Sequence, residues 1–548
     1  MQVYSLYAQD QWAVTDRLTV TAGLRADIPR MLDKPTQNDT LTNALAAAGL
    51  PDVRTGVAPK TVPLVSPRLG FNFDATGDNR NQIRGSVGIY TGPPPYILLG
   101  NAYANTGLGL VRLSCTGAAT PAFTLNVSQL PTACAGQPAP APGQAGTVGV
   151  NINDRNFKFP QYFGVSAGFD RQLPFNTVLT VEGLYRKAIN GVLIRDANIK
   201  GPRMVGGQPY TDRDGRVLYA DTMTNVTGPS PSVAVTNNNQ RWITTLRGAA
   251  FTEGIMEVTN QSKDFNYSIS AQLNRRFSDR LEATVAYTYI KSEDVQSFTS
   301  DRAISNWRNS RQLSVSHDDL ITTTSVFSRP HRLVAYGTYS LPWAGTSTDL
   351  TLYFERTSGV PLTYVANGDL NGDLFAGNDP IYVPRDATDP AEIQIGTGVD
   401  GAFVQNAAAA QAFNRFISAQ PCLDKQRGHI MERNSCRSPA QSRLDVSLRQ
   451  SLPSYRGHDL ALQLDFFNFL NFLNKDWGQI KLPTINPSFS QQAALTVTGR
   501  NSGPLSQSIS TFTFDNKLYD TTTGDPKPFE GRTTGSVYQI QLTLRYSF

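Results

Sequence analysis

The sequence predicts an all-β protein, an antiparallel transmembrane β-barrel with long extracellular loops. Three observations lead to this prediction: segments of strictly alternating polarity, short and long connections that alternate along the chain, and a last strand that ends on an aromatic residue. The 548 residues include 44 Gly, 21 Tyr and 27 Phe, a composition typical of β-rich proteins with many turns.

The last eleven residues, 538–548, show the alternating pattern most clearly. Apolar residues from Tyr538 to Phe548 alternate with polar residues such as Gln541 and Arg545. This alternation predicts a strand with one apolar and one wet face, and roughly 9–11 residues suffice for a tilted strand to cross a bilayer. Aromatic residues at both ends of the apolar face are typical of membrane interfaces, although the edge of a soluble β-sandwich can show the same alternation.

The same pattern recurs in pairs of segments along the whole chain. We predict strands at 2–12, 18–27, 66–73, 82–91, 161–170, 177–187, 264–275, 281–290, 331–340, 348–357, 442–450 and 459–466, and a weaker strand near 508–514. With the last segment this makes roughly fourteen strands, an even number as in single-chain bacterial barrels.

The lengths of the connections support the membrane interpretation. Connections within the pairs are short, whereas those between the pairs are long: 28–65, 92–160, 188–263, 291–330, 358–441 and 467–507. Transmembrane barrels carry short turns on one side and long loops on the other, and a soluble sandwich has no reason to sort its loops in this way. Within the loops, 40–49 and 403–418 predict two small helical pieces, each interpreted as a helical turn packed within a surface loop.

Composition excludes two other classes of protein. Mean hydropathy is −0.30 and no run of 18 apolar residues occurs, so a helical membrane protein is excluded. The net charge of +5 is small, and Lys and Arg are scattered, so we expect no nucleic-acid partner.

The four cysteines form two close pairs, Cys115/Cys134 and Cys422/Cys436. Close, even pairs in loop-like sequence predict two local disulfides in an oxidising compartment; four free thiols are the alternative. Neither pair has the spacing of zinc ligands.

One polar loop has the spacing of a calcium site. Asp369, Asn371 and Asp373 follow one another at every second position, and Asn378 and Asp379 offer further oxygens. This spacing resembles the first half of a Ca²⁺ loop, but the twelfth position is Pro380 rather than Glu. Two interpretations remain: a structural Ca²⁺ site, or a loop held by Asx turns. No other cofactor is expected.

Six motifs, in order, resemble those of TonB-dependent outer-membrane receptors. They are S-L-Y-A-Q-D-Q-W-A-V-T-D-R-L-T-V-T-A-G-L-R from position 5, S-P-R-L-G-F at 66–71, R-P-H-R-L at 329–333, the polar loop at 367–384, Q-R-G-H-I-M-E-R-N-S-C-R-S-P at 426–439 and N-F-L-N-K-D-W-G at 471–478. The resemblance is greatest to the Oar-like branch, whose members carry a β-sandwich before the plug.

The resemblance implies an outer-membrane receptor that takes up a scarce nutrient, such as an oligosaccharide, a peptide or a metal chelate. Such a barrel has about 22 strands and encloses a plug. Because Met1 leads directly into strand-like sequence, we expect residues 1–548 to be the C-terminal portion of the barrel, with the plug, the β-sandwich and the TonB-binding region outside this chain. Membrane lipid and the TonB complex are the implied partners, and the barrel-assembly machinery would recognise Tyr546 and Phe548.

The polar positions of the strands define a predicted lumen wall. A charged residue that faces lipid at mid-depth costs roughly 2–4 kcal/mol, whereas the lumen tolerates charge. We therefore predict that the following residues face the lumen: Arg25, Arg84, Glu282, Glu355, Asp465 and Arg545.

No catalytic motif supports an enzyme. His317 stands beside Asp318 and Asp319, which would suit metal or acid–base chemistry, but a solvated polar turn is the interpretation we favour. The alternative function is a surface-adhesion or structural barrel that binds a partner through its loops. The identity of the ligand is open.

Overall fold

The computed structural model describes residues 1–108, 115–139, 149–199, 201, 204–220, 254–309, 311, 315–343, 346–373, 375–453, 457–486, 490–532 and 534–548. Parts of the predicted long loops, including 221–253, lie outside the described residues.

A large antiparallel sheet contains thirteen long strands, each hydrogen-bonded to the next long strand in the chain. They are β1 (Gln2–Thr15), β2 (Leu18–Arg30), β3 (Leu64–Asp74), β4 (Asn81–Thr91), β5 (Gln161–Leu173), β6 (Thr177–Ala188), β7 (Phe265–Ser278), β8 (Leu281–Asp294), β9 (His331–Trp343), β10 (Thr346–Thr357), β11 (Gln441–Ser451), β12 (Asp459–Phe467) and β13 (Gln539–Ser547). The short strand Thr323–Thr324 pairs with β8 and makes the fourteenth. Among the described residues, β1 and β13 are the two edges and do not pair with each other.

The short turns of this sheet are built from local hydrogen bonds. Between β3 and β4, the Asp74 carboxylate accepts the backbone N–H groups of Thr76, Gly77 and Asn79. Gly77 and Asn79 both have positive φ, 81° and 60°, a conformation that Gly and Asn adopt at low cost. Hydrogen bonds within the turn itself therefore help to close the hairpin.

All twelve paired segments and the last segment are confirmed as strands of this sheet, but the weaker one is assigned wrongly. Ser510–Phe514 is a strand that pairs with Gln491–Arg500 and Gln394–Thr397 in a separate sheet. Its Phe512 and Phe514 are buried. Sequence alternation alone does not tell which sheet a short strand joins.

The described residues of the long connections fold together into a second layer of structure, here called the loop region (the described parts of 31–63, 92–160, 189–264, 295–330, 358–440 and 468–538). One of its sheets has three strands, Val150–Asn153, Ile255–Gln261 and Gly191–Asp196. A larger one contains Pro361–Asn367, Asp379–Pro380, Gln394–Thr397, Val404–Gln405, Cys436–Arg437, Gln491–Arg500 and Ser510–Phe514. Two-residue and three-residue strand pairs join Met204–Val205 to Gln208–Pro209, Tyr382–Val383 to His429–Ile430, and Lys481–Pro483 to Phe529–Gly531.

Short helices complete the loop region. They are α1 (Asp39–Ala47), α2 (Tyr96–Ala104), α3 (Ala303–Asn309), α4 (Ala407–Ser418), α5 (Pro421–Asp424) and α6 (Phe469–Leu473). The helices predicted at 40–49 and 403–418 are confirmed as α1 and α4. Asn38 and Asn406 cap them, because their side chains accept backbone N–H groups of the first turn. No described helix is both long and apolar enough to span a membrane.

Candidate functional site

The two faces of the large sheet differ in chemistry. One face carries rows of large apolar side chains that remain open, for example Leu273 at 46%, Leu352 at 45% and Leu542 at 67% exposure. In the described part of the chain, neither a second sheet nor a helix covers these rows. Because water penalises exposed apolar surface, a continuous open apolar face indicates contact with lipid.

The register of the strands places all six predicted lumen residues on the opposite face. Arg25 of β2 lies across from Ser66 of β3. Asn72 is on the same face of β3 as Ser66 and lies across from Arg84 of β4. Glu282 of β8 lies across from Thr338 of β9, which lies across from Thr351 of β10. Glu355 is four residues after Thr351 in β10 and is therefore on the same face. Asp465 of β12 lies across from Ser447 of β11. Arg545 of β13 lies across from Ala461, which is on the same face of β12 as Asp465.

Arg84 is the centre of a charged group on this polar face. Its Nε lies 3.1 Å from Asp170 Oδ2 and its Nη1 lies 3.7 Å from Glu182 Oε1. Gly168 lies between Arg84 and Glu182 in the register. A Cβ at this glycine would lie 2.9 Å from the Arg84 guanidinium carbon, so glycine gives the long side chain room to cross a strand.

The other predicted residues of this face have few partners. Glu355 pairs with Arg332 at 2.8 Å and Arg25 pairs with Asp27 at 2.8 Å. Asp465 accepts the Ser447 hydroxyl at 2.6 Å. Glu282 and Arg545 form no ion pair with a described residue, and both side chains are exposed. Exposed ion pairs contribute little to stability, so this face is a hydrated wall.

The C-terminal aromatic residues are open. Tyr546 is 56% and Phe548 is 94% exposed, and the Tyr546 hydroxyl lies 2.6 Å from His458 Nδ1. Recognition of these residues by the assembly machinery stays a prediction.

In the structure, both cysteine pairs are joined. Cys115 bonds to Cys134 and Cys422 bonds to Cys436. The second bridge lies beside α5 and ties it to the strand Cys436–Arg437, and Cys436 is fully buried. Both bridges belong to the loop region.

The polar loop at 369–379 is buried rather than solvated. Asp369, Asn371, Asp373, Asn378 and Asp379 are each 0% exposed. The Asp369 carboxylate accepts the N–H of Gly372 at 2.7 Å, the Asn371 side chain accepts that of Asp373 at 2.9 Å, and Asp373 accepts that of Phe375 at 2.8 Å. These contacts are Asx turns, the second of the two interpretations.

A buried cation balances part of the negative charge of this loop. Arg216 Nη1 lies 3.0 Å from Asp379 Oδ1, and both side chains are buried. Burial raises the pKa of the Asp379 carboxyl above its ordinary value, against the opposing effect of Arg216.

Calcium binding stays a prediction. Among the described residues, no group of three or more His, Cys, Asp or Glu side chains has a geometry that would hold a metal ion. A calcium site would therefore depend on the two carboxylates Asp369 and Asp373 together with amide and carbonyl oxygens, which are ligands that Ca²⁺ accepts. Asn378 Oδ1 is buried without a hydrogen-bond partner.

His317 is buried, so the prediction of a solvated turn is wrong for this residue. It is 8% exposed, and its ring stacks on Tyr219 with 4.2 Å between ring centroids. Its Nε2 lies 3.4 Å from Asp373 Oδ2. Asp318 and Asp319, in contrast, are exposed.

A cavity that sequence reasoning missed lies next to His317. It has a volume of about 310 Å³ and is lined by residues from three separate connections, among them Leu50, Arg195, Trp307, Arg311 and His317. We call it the Arg311 cavity. Leu50, Arg195 and Trp307 are distant in sequence and meet only in the folded loop region, so no local motif joins them.

The large sheet has an open apolar face and a polar face with charged residues, and its long connections all emerge at one end of the strands. These three features define a membrane-spanning β-sheet of the outer-membrane type. The sequence agrees with this class: residues 1–502 match the outer membrane beta barrel domain family. The chain belongs to this family, and the large sheet is its outer-membrane part. No curated protein matches the chain.

The solved structures that the chain matches include outer-membrane receptors and transporters. The ferric enterobactin receptor of Pseudomonas aeruginosa matches with a TM-score of 0.39 and 10% identity, over 100% of this chain and 45% of that chain. The transporter YddB of Escherichia coli matches with 0.42 and 11%, over 86% and 41%. The ferric preacinetobactin receptor of Acinetobacter baumannii matches with 0.36 and 9%, over 86% and 39%. This chain spans less than half the length of each.

Proposed function

We propose that the chain is the barrel portion of a TonB-dependent receptor that takes up a scarce nutrient across the bacterial outer membrane. One observation carries this proposal. All long connections leave the strands at the same end of a membrane-type sheet, and their described residues fold into a structured region with its own buried cores. A passive pore does not need such a region, whereas a receptor needs a formed surface that captures ligand before passage.

The ordered motifs shared with TonB-dependent receptors support energy coupling through TonB. The polar face, with Arg84, Glu355 and Asp465, would then meet the plug or the passing substrate. The substrate class remains the open part of the proposal: an oligosaccharide, a peptide or a metal chelate.

Depletion of compounds from the growth medium tests the proposal without knowledge of the ligand. Three strains are compared by mass spectrometry of the medium: the parent, a strain lacking this gene, and a strain lacking TonB. We expect at least one compound that the parent removes to persist in both mutant cultures. A compound that persists without this gene but is removed without TonB contradicts energy coupling.

The same strains examine the alternative, a surface-adhesion or structural barrel. If loss of the gene leaves depletion of every compound unchanged but abolishes attachment of cells to a surface or to each other, the receptor proposal fails and adhesion takes its place. Fractionation of the parent cells provides the control, because both functions require the protein in the outer-membrane fraction.

A further inference from the structure

The Arg311 cavity contains an unusual buried cation. Arg311 is 2% exposed, and one of its terminal nitrogens, Nη2, donates to the backbone carbonyl of His317 at 2.7 Å. The other, Nη1, is buried without a hydrogen-bond partner. Arg311 forms no ion pair with any carboxylate in the described part of the chain. Burial lowers the pKa of its guanidinium to about 10, so the group stays charged at neutral pH.

A buried guanidinium with an unpaired donor lowers the stability of the fold unless a counter-ion or ligand binds to it. A buried charge without a counter-ion destabilises a fold, and buried charges are normally paired or bind an ion or ligand. Other buried arginines of the loop region follow this rule, since Arg216 pairs with Asp379 and Arg433 pairs with Asp294. Arg311 is therefore the exception, and it lines a cavity of about 310 Å³, which lies at the lower end of the sizes of ligand sites.

A second unpaired donor lies in the same cavity wall. The indole Nε1 of Trp307 is buried without an acceptor, and the whole residue is 0% exposed. Indole can only donate at this atom. The ring is held by Phe375 at 4.6 Å and by His317 at 5.2 Å between centroids, so the donor is fixed before any ligand enters.

We propose that the Arg311 cavity binds the carboxylate of a small, singly charged organic ligand. Arg311 and Trp307 would donate to the carboxylate oxygens, since guanidinium groups suit planar oxyanions. The apolar part of the ligand would lie against Leu50, Val53 and Ile199, which line the same cavity.

The charges around the cavity favour a single carboxylate over a doubly charged anion such as phosphate. Asp318 also lines the cavity, and Asp373 Oδ2 lies 3.4 Å from His317 Nε2. Arg195, the other cation of the lining, is already paired with Glu257. A dianion would therefore meet one unpaired cation and nearby negative charge.

This inference deepens the proposed function, because it assigns a ligand class to the capture surface, but it is tested by binding alone. The purified full chain in detergent micelles is titrated calorimetrically with acetate, hexanoate and benzoate. Benzamide, which has the shape of benzoate without its charge, and inorganic phosphate are the comparison probes. If no carboxylate binds in this titration, the outcome of the depletion experiment is unaffected. A negative depletion experiment likewise does not decide whether the cavity binds a carboxylate.

We expect at least one carboxylate to bind, and benzamide and phosphate to bind at least about tenfold more weakly than that carboxylate. Arg311→Gln weakens the binding about tenfold or more, and Trp307→Phe, which keeps an aromatic ring but removes the donor, weakens it about threefold. Arg385→Gln, the matched control, removes an exposed cation of the loop region and leaves binding unchanged.

Three results would overturn the proposal: no carboxylate binds up to about 10 mM, a range that already covers very weak affinity; benzamide equals the carboxylate; or Arg311→Gln equals the unmodified chain. Near-ultraviolet circular dichroism shows whether each variant folds. If Arg311→Gln does not fold, Trp307→Phe decides the question, since unchanged carboxylate binding by that variant contradicts the role of the indole donor.

Discussion

The large sheet and the loop region bury apolar side chains in opposite ways. The loop region contains a core of large apolar residues that are fully inside: Tyr364, Phe413 and Phe416 are each 0% exposed. In the sheet, residues of the same kind are left open, such as Tyr287 at 44% and Leu544 at 66% exposure. One chain thus contains both a water-excluding core and an open apolar surface.

The difference shows that each region is adapted to its own solvent. The loop region follows the rule for proteins in water, in which apolar residues are removed from contact with solvent. The sheet follows the rule for β-structure in a bilayer, in which the apolar residues face lipid. Substitutions that are mild in one region should therefore be severe in the other.

The largest expected effect concerns the core of the loop region. Phe416 packs between Tyr364 and Phe514, with ring centroids 5.2 and 5.3 Å away, so Phe416→Ala should remove about 3–5 kcal/mol of stability from this region. Phe123→Ala, at a residue that is 88% exposed, is the control. Limited proteolysis measures the loop region, and heat-modifiable gel mobility measures the sheet. Loss of both in Phe416→Ala would contradict the separation of the two regions.

The next largest effect distinguishes the two faces of the sheet. Leu273 and Gln272 are neighbours in the middle of β7, and both side chains are exposed. Because Leu273 faces lipid, Leu273→Arg should cost about 2–4 kcal/mol of folding free energy, whereas Gln272→Arg should cost little. Urea titration of the chain folded into lipid vesicles measures both. Equal effects of the two substitutions would mean that the apolar face does not touch lipid.

A smaller effect is expected from pH at the junction of the two regions. Asp264 precedes β7, its carboxylate accepts the Val295 N–H at 2.8 Å, and burial, with Asp294 nearby, raises its pKa to about 6. Because this value is above the ordinary one, the folded chain holds more protons than the unfolded chain between the two, and stability falls as pH rises through that window. Thermal unfolding from pH 4 to pH 7 should show this decline, and Asp264→Asn should lack it. An identical slope in the variant would assign the decline to another group.

The smallest effect is the response of the polar loop to calcium. A Ca²⁺ ion held at Asp369, Asn371 and Asp373 should raise the free energy of unfolding by about 0.4 kcal/mol when its concentration equals the dissociation constant. Thermal unfolding of the loop region with Ca²⁺ and with a chelator measures the response, and Asp373→Asn should weaken it. No response in the unmodified chain would leave the Asx turns as the whole explanation of this loop.

The comparison also explains which predictions from sequence succeed. In a strand that faces lipid on one side, every second residue is apolar. The thirteen long strands and their order can therefore be predicted from this alternation and from the lengths of the connections. The helices α1 and α4 are readable as well, because Asn38 and Asn406 supply local caps. The polar face, with Arg84 and Asp465, follows from the same period of two.

The sequence by itself therefore determined the large sheet, its two faces and the places where long connections occur, because these depend on local periodicity and turn residues. Only the tertiary structure decided how the connections pack together. It moved Ser510–Phe514 into the loop region, buried His317, and brought Trp307, Arg311 and Leu50 to one cavity. The physical reason is that contacts between distant segments are selected by complementary shape and by the pairing of buried charge, and neither leaves a periodic trace in the chain.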